Sequence, residues 1–295
     1  MAIMPCNTTV DCTQRELIEH GTIAFPIACY HDDLRKGEVP WHWHEELEAA
    51  IITEGSAVVA AGSEKYIIGK GEGFFIHSGI LHGCWDVDDS ACRFHSIVFH
   101  PRLVGGSPES VFHQNYIKPL LENHTLESIH LKPAIPWQAN LLNAIESTWQ
   151  AGVQEEKGYE FKVRNSLSEI IFLLQSNIPA ANRQFTAKEA RNGDRIKSML
   201  QFIHDHCTEE MTIAKIAESA DISESECLRC FRGTIGITPI QYVRQYRIQR
   251  AAQLLSDTDE RISDIALQCG FQDMSYFTKT FREMKGCTPT RFREK

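Results

Sequence analysis

Between residues 22 and 99 apolar residues come in short runs broken by glycine: AAIITEG (49–55), SAVVAAG (56–62), EKYIIGKG (64–71), GFFIHSG (73–79) and RFHSIVFH (93–100). Runs of this length with turn residues between them predict the strands of an antiparallel sandwich or barrel. The period then changes. Leu141, Leu142, Ile145 and Trp149 recur at helical spacing, as do Phe161, Leu167, Ile170, Ile171 and Leu174, with Pro133 and Pro136 near the start; this predicts helices after the β unit. Residues 179–194 hold no sustained apolar face and read as a linker. Everything beyond reads as helix. The expected organisation is an all-β barrel over 1–105, a helical connecting segment over 106–178 suited to dimerisation, the linker, and an all-α domain over 195–295.

The all-α region repeats itself at an offset of 49–50 residues. Ile216-Ala217 recurs as Ile265-Ala266, Phe231-Arg232 as Phe281-Arg282, and Gly236, Thr238 and Pro239 as Gly286, Thr288 and Pro289. Each copy predicts a short helix, a tight turn and a second helix, the helix-turn-helix plan. Ser223 and Glu226 have the spacing of a capping box that opens the second helix of copy one, and Gly270 falls in the turn of copy two. On those second helices Cys227 and Phe231, and Phe277 and Phe281, share an inward face. The outward face carries Glu224, Ser225, Leu228, Arg229 and Arg232 in copy one. In copy two it carries Met274, Ser275, Thr278, Lys279 and Arg282, with Gln272 just before them. Such a face fits the major groove, where guanine offers paired acceptors to arginine and thymine a methyl to an apolar side chain. Arg229 and Leu228 suit those roles; Arg232, Lys279 and Arg282 suit phosphates.

These residues resemble the AraC/XylS transcription regulators over 195–295. The match runs through Tyr242, Tyr246-Arg247-Ile248, Ala251 and Leu254-Leu255, then Ile262 to Arg282, then Gly286, Thr288 and Pro289. The resemblance implies two subdomains joined by a helix around 239–255, with both second helices entering successive major-groove segments about 34 Å apart. Two positions depart from the family: Gln272 stands where a small capping hydroxyl is usual, implying a less firm start to that helix, and Cys227 where leucine is common.

Bulk charge argues against this reading, because the chain has a net charge of −9. The charge is unevenly spread. Residues 1–182 contain 12 Lys+Arg against 23 Asp+Glu, and residues 183–295 contain 18 against 16. An acidic body thus carries a slightly basic tail, compatible with double-stranded DNA as partner. With no apolar run near the roughly 20 residues of a membrane span and no export signal at the N-terminus, no membrane partner and a cytoplasmic location are expected. The ten cysteines then read as reduced, mostly core thiols. Cys227 and Cys230 have CxxC spacing, but no second pair completes a zinc site.

The β unit carries the remaining chemistry. Gly37, His42, His44, Glu48 and Gly55 are followed by Gly73, His77, Gly79 and His82. His42 and His44, two apart on a strand, point to one face. With Glu48 and His82 they make a donor set suited to a divalent metal such as Zn, Mn, Fe or Ni. The spacing resembles the two motifs of the cupin superfamily, with His77 in place of the usual proline and one residue missing after Gly37. The resemblance implies a small β-barrel with His42, His44, Glu48 and His82 as ligands. In AraC-type regulators such a barrel holds an organic effector, often without metal, so the same four residues and Trp85 are also candidate effector contacts. Trp41, Trp43 and Trp85 lie near them; any that faced inward would offer stacking for a sugar.

The expected function is a sequence-specific transcription regulator; the family resemblance implies an activator, for which RNA polymerase would be a partner, while the residues alone leave activator and repressor open. It binds operator DNA as a homodimer and responds to a small molecule, a sugar or related metabolite. The dimer contact falls to the faces around 141–149 or 167–174, unless those faces pack on their own barrel. The alternative is a metal-dependent cupin enzyme, an isomerase or dioxygenase, fused to a DNA-binding tail.

Overall fold

Among the residues that the computed structural model describes (8–10, 14–87, 91–123, 125–179 and 187–293), nine strands form two antiparallel sheets. They are β1 (Ile27–Asp33), β2 (Val39–His42), β3 (Leu47–Glu54), β4 (Ser56–Ala61), β5 (Glu64–Gly69), β6 (Gly73–Ile76), β7 (His82–Asp86), β8 (Arg93–Phe99) and β9 (Ser128–Leu131). One sheet has the order β1-β8-β3-β6-β9, the other β2-β7-β4-β5. The chain divides into two compact units, Met1–Gly193 and Asp194–Lys295.

The five-stranded sheet is buried on both faces, which is why its strands read as near-continuous apolar runs rather than alternating ones. One face carries Ala50, Ile52, Phe74, Ile76 and Phe94, which pack against Ala57, Val59, Ala61, Ile68 and Cys84 of the four-stranded sheet. The other carries Ile27, Cys29, Leu47, Ala49, Phe75, Ile97 and Phe99. These meet two helices, α3 (Pro136–Gln154) and α4 (Tyr159–Asn177); two one-turn helices, α1 (Arg102–Gly105) and α2 (Lys118–Leu121), precede them. Burial of each large side chain stabilises the unit by about 1.5–3 kcal/mol. Pro136 opens α3 at a position where its missing N–H costs nothing. Glu155, in the left-handed region at φ 48°, closes it, and Gly158 at φ 83° starts α4.

Three expectations change here. The helical segment over 106–178 shares one core with the barrel and contains a strand, β9, paired with β6 from Gly73↔Leu131 to Ile76↔Ser128. Leu141, Leu142, Ile145, Trp149, Leu167, Ile170, Ile171 and Leu174 are all buried in that core, so those faces are spent on their own sheet and not free for a dimer. Phe161, part of the same apolar pattern, is instead 75% exposed.

The second unit is helical. Its elements are α5 (Ala187–Asp205), α6 (Ile213–Glu218), α7 (Glu224–Thr234), α8 (Pro239–Asp257), α9 (Ile262–Gln268), α10 (Met274–Lys285) and α11 (Pro289–Arg293). Helix α5 begins within the stretch read as linker, where polar side chains hide a helix whose apolar stripe starts only at Ile196; residues 180–186 of that stretch lie outside the described residues. The repeat is realised pairwise. Ile216-Ala217 and Ile265-Ala266 are buried, as are Cys227, Phe231, Phe277 and Phe281. Thr238 and Gln241 form a full capping box at α8. None of the helices is long and apolar enough to cross a membrane among the described residues.

Candidate metal centre and DNA interface

Strand pairing builds the first site. His42 on β2 lies directly opposite His82 on β7, and Glu48 on β3 faces them from the other sheet, because Leu47 and Ala49 on either side point to the helices. His44 follows β2 in the turn toward β3. All four are buried, and their donor atoms lie within 4.8 Å of one another. Oε2 of Glu48 is 2.9 Å from His82 Nε2 and 3.4 Å from His44 Nε2.

The outer nitrogens decide what the ring can do. Each Nδ1 lies against a backbone carbonyl: His42 on Pro40 at 2.8 Å, His44 on Glu46 at 3.2 Å and His82 on Ile80 at 2.7 Å. A carbonyl only accepts, so each Nδ1 carries a proton and each Nε2 faces the interior of the cluster, donating to a carboxylate when its ring is charged and free to offer a lone pair to a metal when it is neutral. Backbone support of this kind fixes the tautomer of metal-ligating histidines. Nε2 of His44 and of His82 are buried and converge on one carboxylate, that of Glu48. These residues fit a divalent ion. Electrostatics agree. Burial would raise the Glu48 carboxyl, but the His44 and His82 rings outweigh it and hold it well below the usual range. Burial and the neighbouring His82 and His44 rings push His42 well down. At His82 burial opposes the charged form, but Glu48 prevails and raises it.

A small pocket of about 30 Å3, partly open to solvent, adjoins this cluster. Its wall includes His42, Glu48 and His82 with Asp32, Ser96 and Phe94. Ser96 Oγ donates to Asp32 Oδ2 at 3.0 Å. Trp85, expected here, does not line it. It stands three residues from His82 on β7 and so on the opposite face, against Trp41 (6.1 Å between centroids) and under Lys65. Trp41 and Trp43 alternate with the inward His42 and likewise line none of the cavity. His77 is not in the cluster; its Nε2 reaches the Leu120 carbonyl at 2.9 Å. Sequence spacing missed two residues at the site, Glu16 and His20. Both sit in an irregular N-terminal segment without motif context, although its alternation (Gln14, Glu16, Ile18 and His20 less exposed than Arg15, Leu17 and Glu19) is a strand-like signal.

In the second unit Glu224, Ser225, Arg229 and Arg232 are exposed on α7 and Leu228 is half-buried. On α10 Met274, Ser275, Lys279 and Arg282 are exposed and Thr278 is half-buried, with Gln272 exposed just before it. Tyr276, 49% exposed beside Ser275, joins that surface without having been singled out by spacing. Ser223 caps α7 through the Glu226 N–H at 3.3 Å. The box is only half made, because the Glu226 carboxylate engages Arg229 and lies 3.5 Å from Arg195. The expected weak start of α10 is also corrected. Asp273, one residue after Gln272, accepts from the Tyr276 N–H at 2.7 Å and is a strong N-cap. Burial pushes the Cys227 thiol up to about 11 and raises Cys230, so both are packing thiols rather than reactive ones.

Comparison with known proteins agrees with both halves. Residues 24–136 match the AraC-like ligand binding domain, and residues 216–295 match a helix-turn-helix domain. The chain is 30% identical over 98% of its length, and 98% of the relative's, to the uncharacterized HTH-type transcriptional regulator YdeC of Bacillus subtilis. It is 25% identical to the HTH-type transcriptional activator RhaR of Mannheimia succiniciproducens, over 87% of each chain. It is 27% identical to the melibiose operon regulatory protein of Escherichia coli K12, over 86% of this chain and 83% of that one. A ligand-binding domain ahead of a paired helix-turn-helix domain, with a full-length relative at this identity, shows that the chain belongs to the AraC family of DNA-binding transcription regulators.

Proposed function

We propose that the protein is a transcription activator switched by a small polar metabolite, with a divalent metal held by His42, His44, Glu48 and His82 beside the effector cavity. The carrying observation is the set of three backbone-held Nδ1 atoms, which turns three Nε2 atoms toward Glu48. A bound ion would offer a Lewis-acidic anchor to an effector oxygen. Asp32 and the Ser96 oxygen, across the same cavity, are placed to accept hydrogen bonds from the effector's other end. The melibiose operon regulatory protein among the relatives makes sugars the first class to try, with recognition by carboxylate and hydroxyl groups rather than by stacking, since no tryptophan lines the cavity.

On DNA, Leu228 and Arg229 read base edges from α7 and Met274 and Ser275 from α10, while Arg232, Lys279 and Arg282 hold phosphates. Two copies bind one operator, through a surface other than the buried faces of α3 and α4. The test is metal analysis of purified protein and of His82→Ala, followed by a thermal-shift screen of sugars and hydroxy acids. Operator affinity is then measured with and without the best hit. Stoichiometric metal lost in His82→Ala, with an effector-dependent change in operator affinity, supports the reading. A wild-type protein that takes up no divalent metal removes the metal from it, and turnover of the hit by the protein would replace the regulator with the enzyme.

A further inference from the structure

We infer that Glu16, carried by the N-terminal segment, is a further ligand of the barrel metal; this rests on the reading of His42, His44, Glu48 and His82 as its site. The segment is pinned beside those residues by backbone. Glu16 N–H donates to the Trp43 carbonyl at 2.9 Å, and Trp43 N–H to the Gln14 carbonyl at 2.9 Å, a short parallel bridge centred on Arg15 and Trp43. Outside it Arg15 pairs with Glu45 at 2.9 Å. Alternation along the bridge then sends Glu16 inward, where its side chain is only 7% exposed.

Inside, the Glu16 carboxylate meets imidazoles. Its Oε2 is 3.1 Å from His20 Nε2 and 3.9 Å from His42 Nε2. Glu16, His20 and His44 donor atoms lie within 4.8 Å of one another. The other nitrogen of His20 is held by the Tyr30 hydroxyl at 2.7 Å, so the ring that touches Glu16 is itself fixed. Burying a carboxylate is costly unless opposite charge faces it, and a cation among His42, His44 and His82 supplies that charge. Two carboxylates, Glu48 from the barrel and Glu16 from the segment, then face three imidazoles from two directions. Five donors of this kind suit Mn(II), Fe(II), Co(II) or Ni(II) better than a closed four-ligand zinc site. His20 is a positioning residue for Glu16. Five protein donors would leave one position of a six-coordinate ion for an effector oxygen.

The experiment titrates the full-length, metal-stripped protein with Co(II) and records its visible spectrum. The proteins compared are wild type, Glu16→Gln, Glu16→Asp and Glu48→Gln. Glu16→Gln is expected to weaken Co(II) binding at least about tenfold and to alter the visible bands, with Glu16→Asp restoring part of both. Metal-free melting curves check that the variants fold; should Glu16→Gln not fold, Glu16→Asp carries the comparison through its shifted bands. Wild-type affinity and an unchanged spectrum in Glu16→Gln overturn the assignment of Glu16 alone. A wild-type protein that binds no Co(II) overturns the metal reading and this inference with it.

Discussion

Asp221 and Gly270 occupy the same place in the two helix-turn-helix turns, 49 residues apart, and both take left-handed backbone, at φ 52° and 80°. The hydrogen bonds that close the turns match as well: Ile222 N–H to the Ala217 carbonyl at 3.1 Å, and Phe271 N–H to the Ala266 carbonyl at 2.9 Å. Only the second turn is crowded. A Cβ on Gly270 would lie 2.4 Å from the Cys207 carbonyl oxygen and 2.9 Å from the Arg247 guanidinium, which donates to that same carbonyl at 2.7 Å. Gly270→Ala should therefore cost more than about 2 kcal/mol, combining left-handed strain with the clash. Asp221→Gly should raise stability by up to about 1 kcal/mol, the left-handed penalty it relieves. Urea unfolding of both variants checks the asymmetry; equal effects would refute it.

Helix α10 depends on Asp273. Asp273→Ala should lose about 1 kcal/mol, while Gln272→Ala should change stability by less than about 0.5 kcal/mol. Thermal unfolding distinguishes them, and a larger loss at Gln272 would return the cap to that position.

In the proposed reading, recognition divides between base and phosphate. Arg229→Ala should weaken cognate binding by roughly 1–3 kcal/mol and relax preference at one base position. Lys279→Ala should weaken all sequences alike and reduce the salt slope by about one. Because Arg229 is engaged with Glu226, Glu226→Gln should strengthen binding to random DNA. Anisotropy titrations over a salt series on cognate and random duplexes read all three.

The outward tryptophan gives a negative control for the cavity. Trp85→Ala should leave metal content and effector affinity at wild-type levels, whereas His82→Ala should abolish stoichiometric metal. Parallel metal analysis and calorimetry check the pair, and a loss of effector binding in Trp85→Ala would place that ring in the cavity.

Much of this was legible in residues. The repeat declares itself because inward positions such as Phe231 and Phe281 recur with their turns, and both are buried. His42, His44, Glu48 and His82 carry a spacing that a barrel brings together. Other features were written in weaker signals. Trp85 differs from His82 by an odd number of positions, so strand parity alone places it outside, though closeness in sequence suggests the reverse. Strand β9 is four residues long and adjoins a strongly helical stretch that dominates any window containing it. Glu16 and His20 have no motif context, because what brings them to the site is backbone pairing with Trp43 rather than side-chain pattern.

The five-stranded sheet is a partition one strand thick, and Tyr30 on β1 belongs to both sides of it. Its hydroxyl meets His20 in the cavity at 2.7 Å, and its carbonyl receives the Trp149 indole N–H from α3 at 2.8 Å. A single residue therefore serves both layers, its side chain lining the cavity and its backbone holding the helices, so a substitution at Tyr30 made for the cavity has to preserve the strand that holds Trp149.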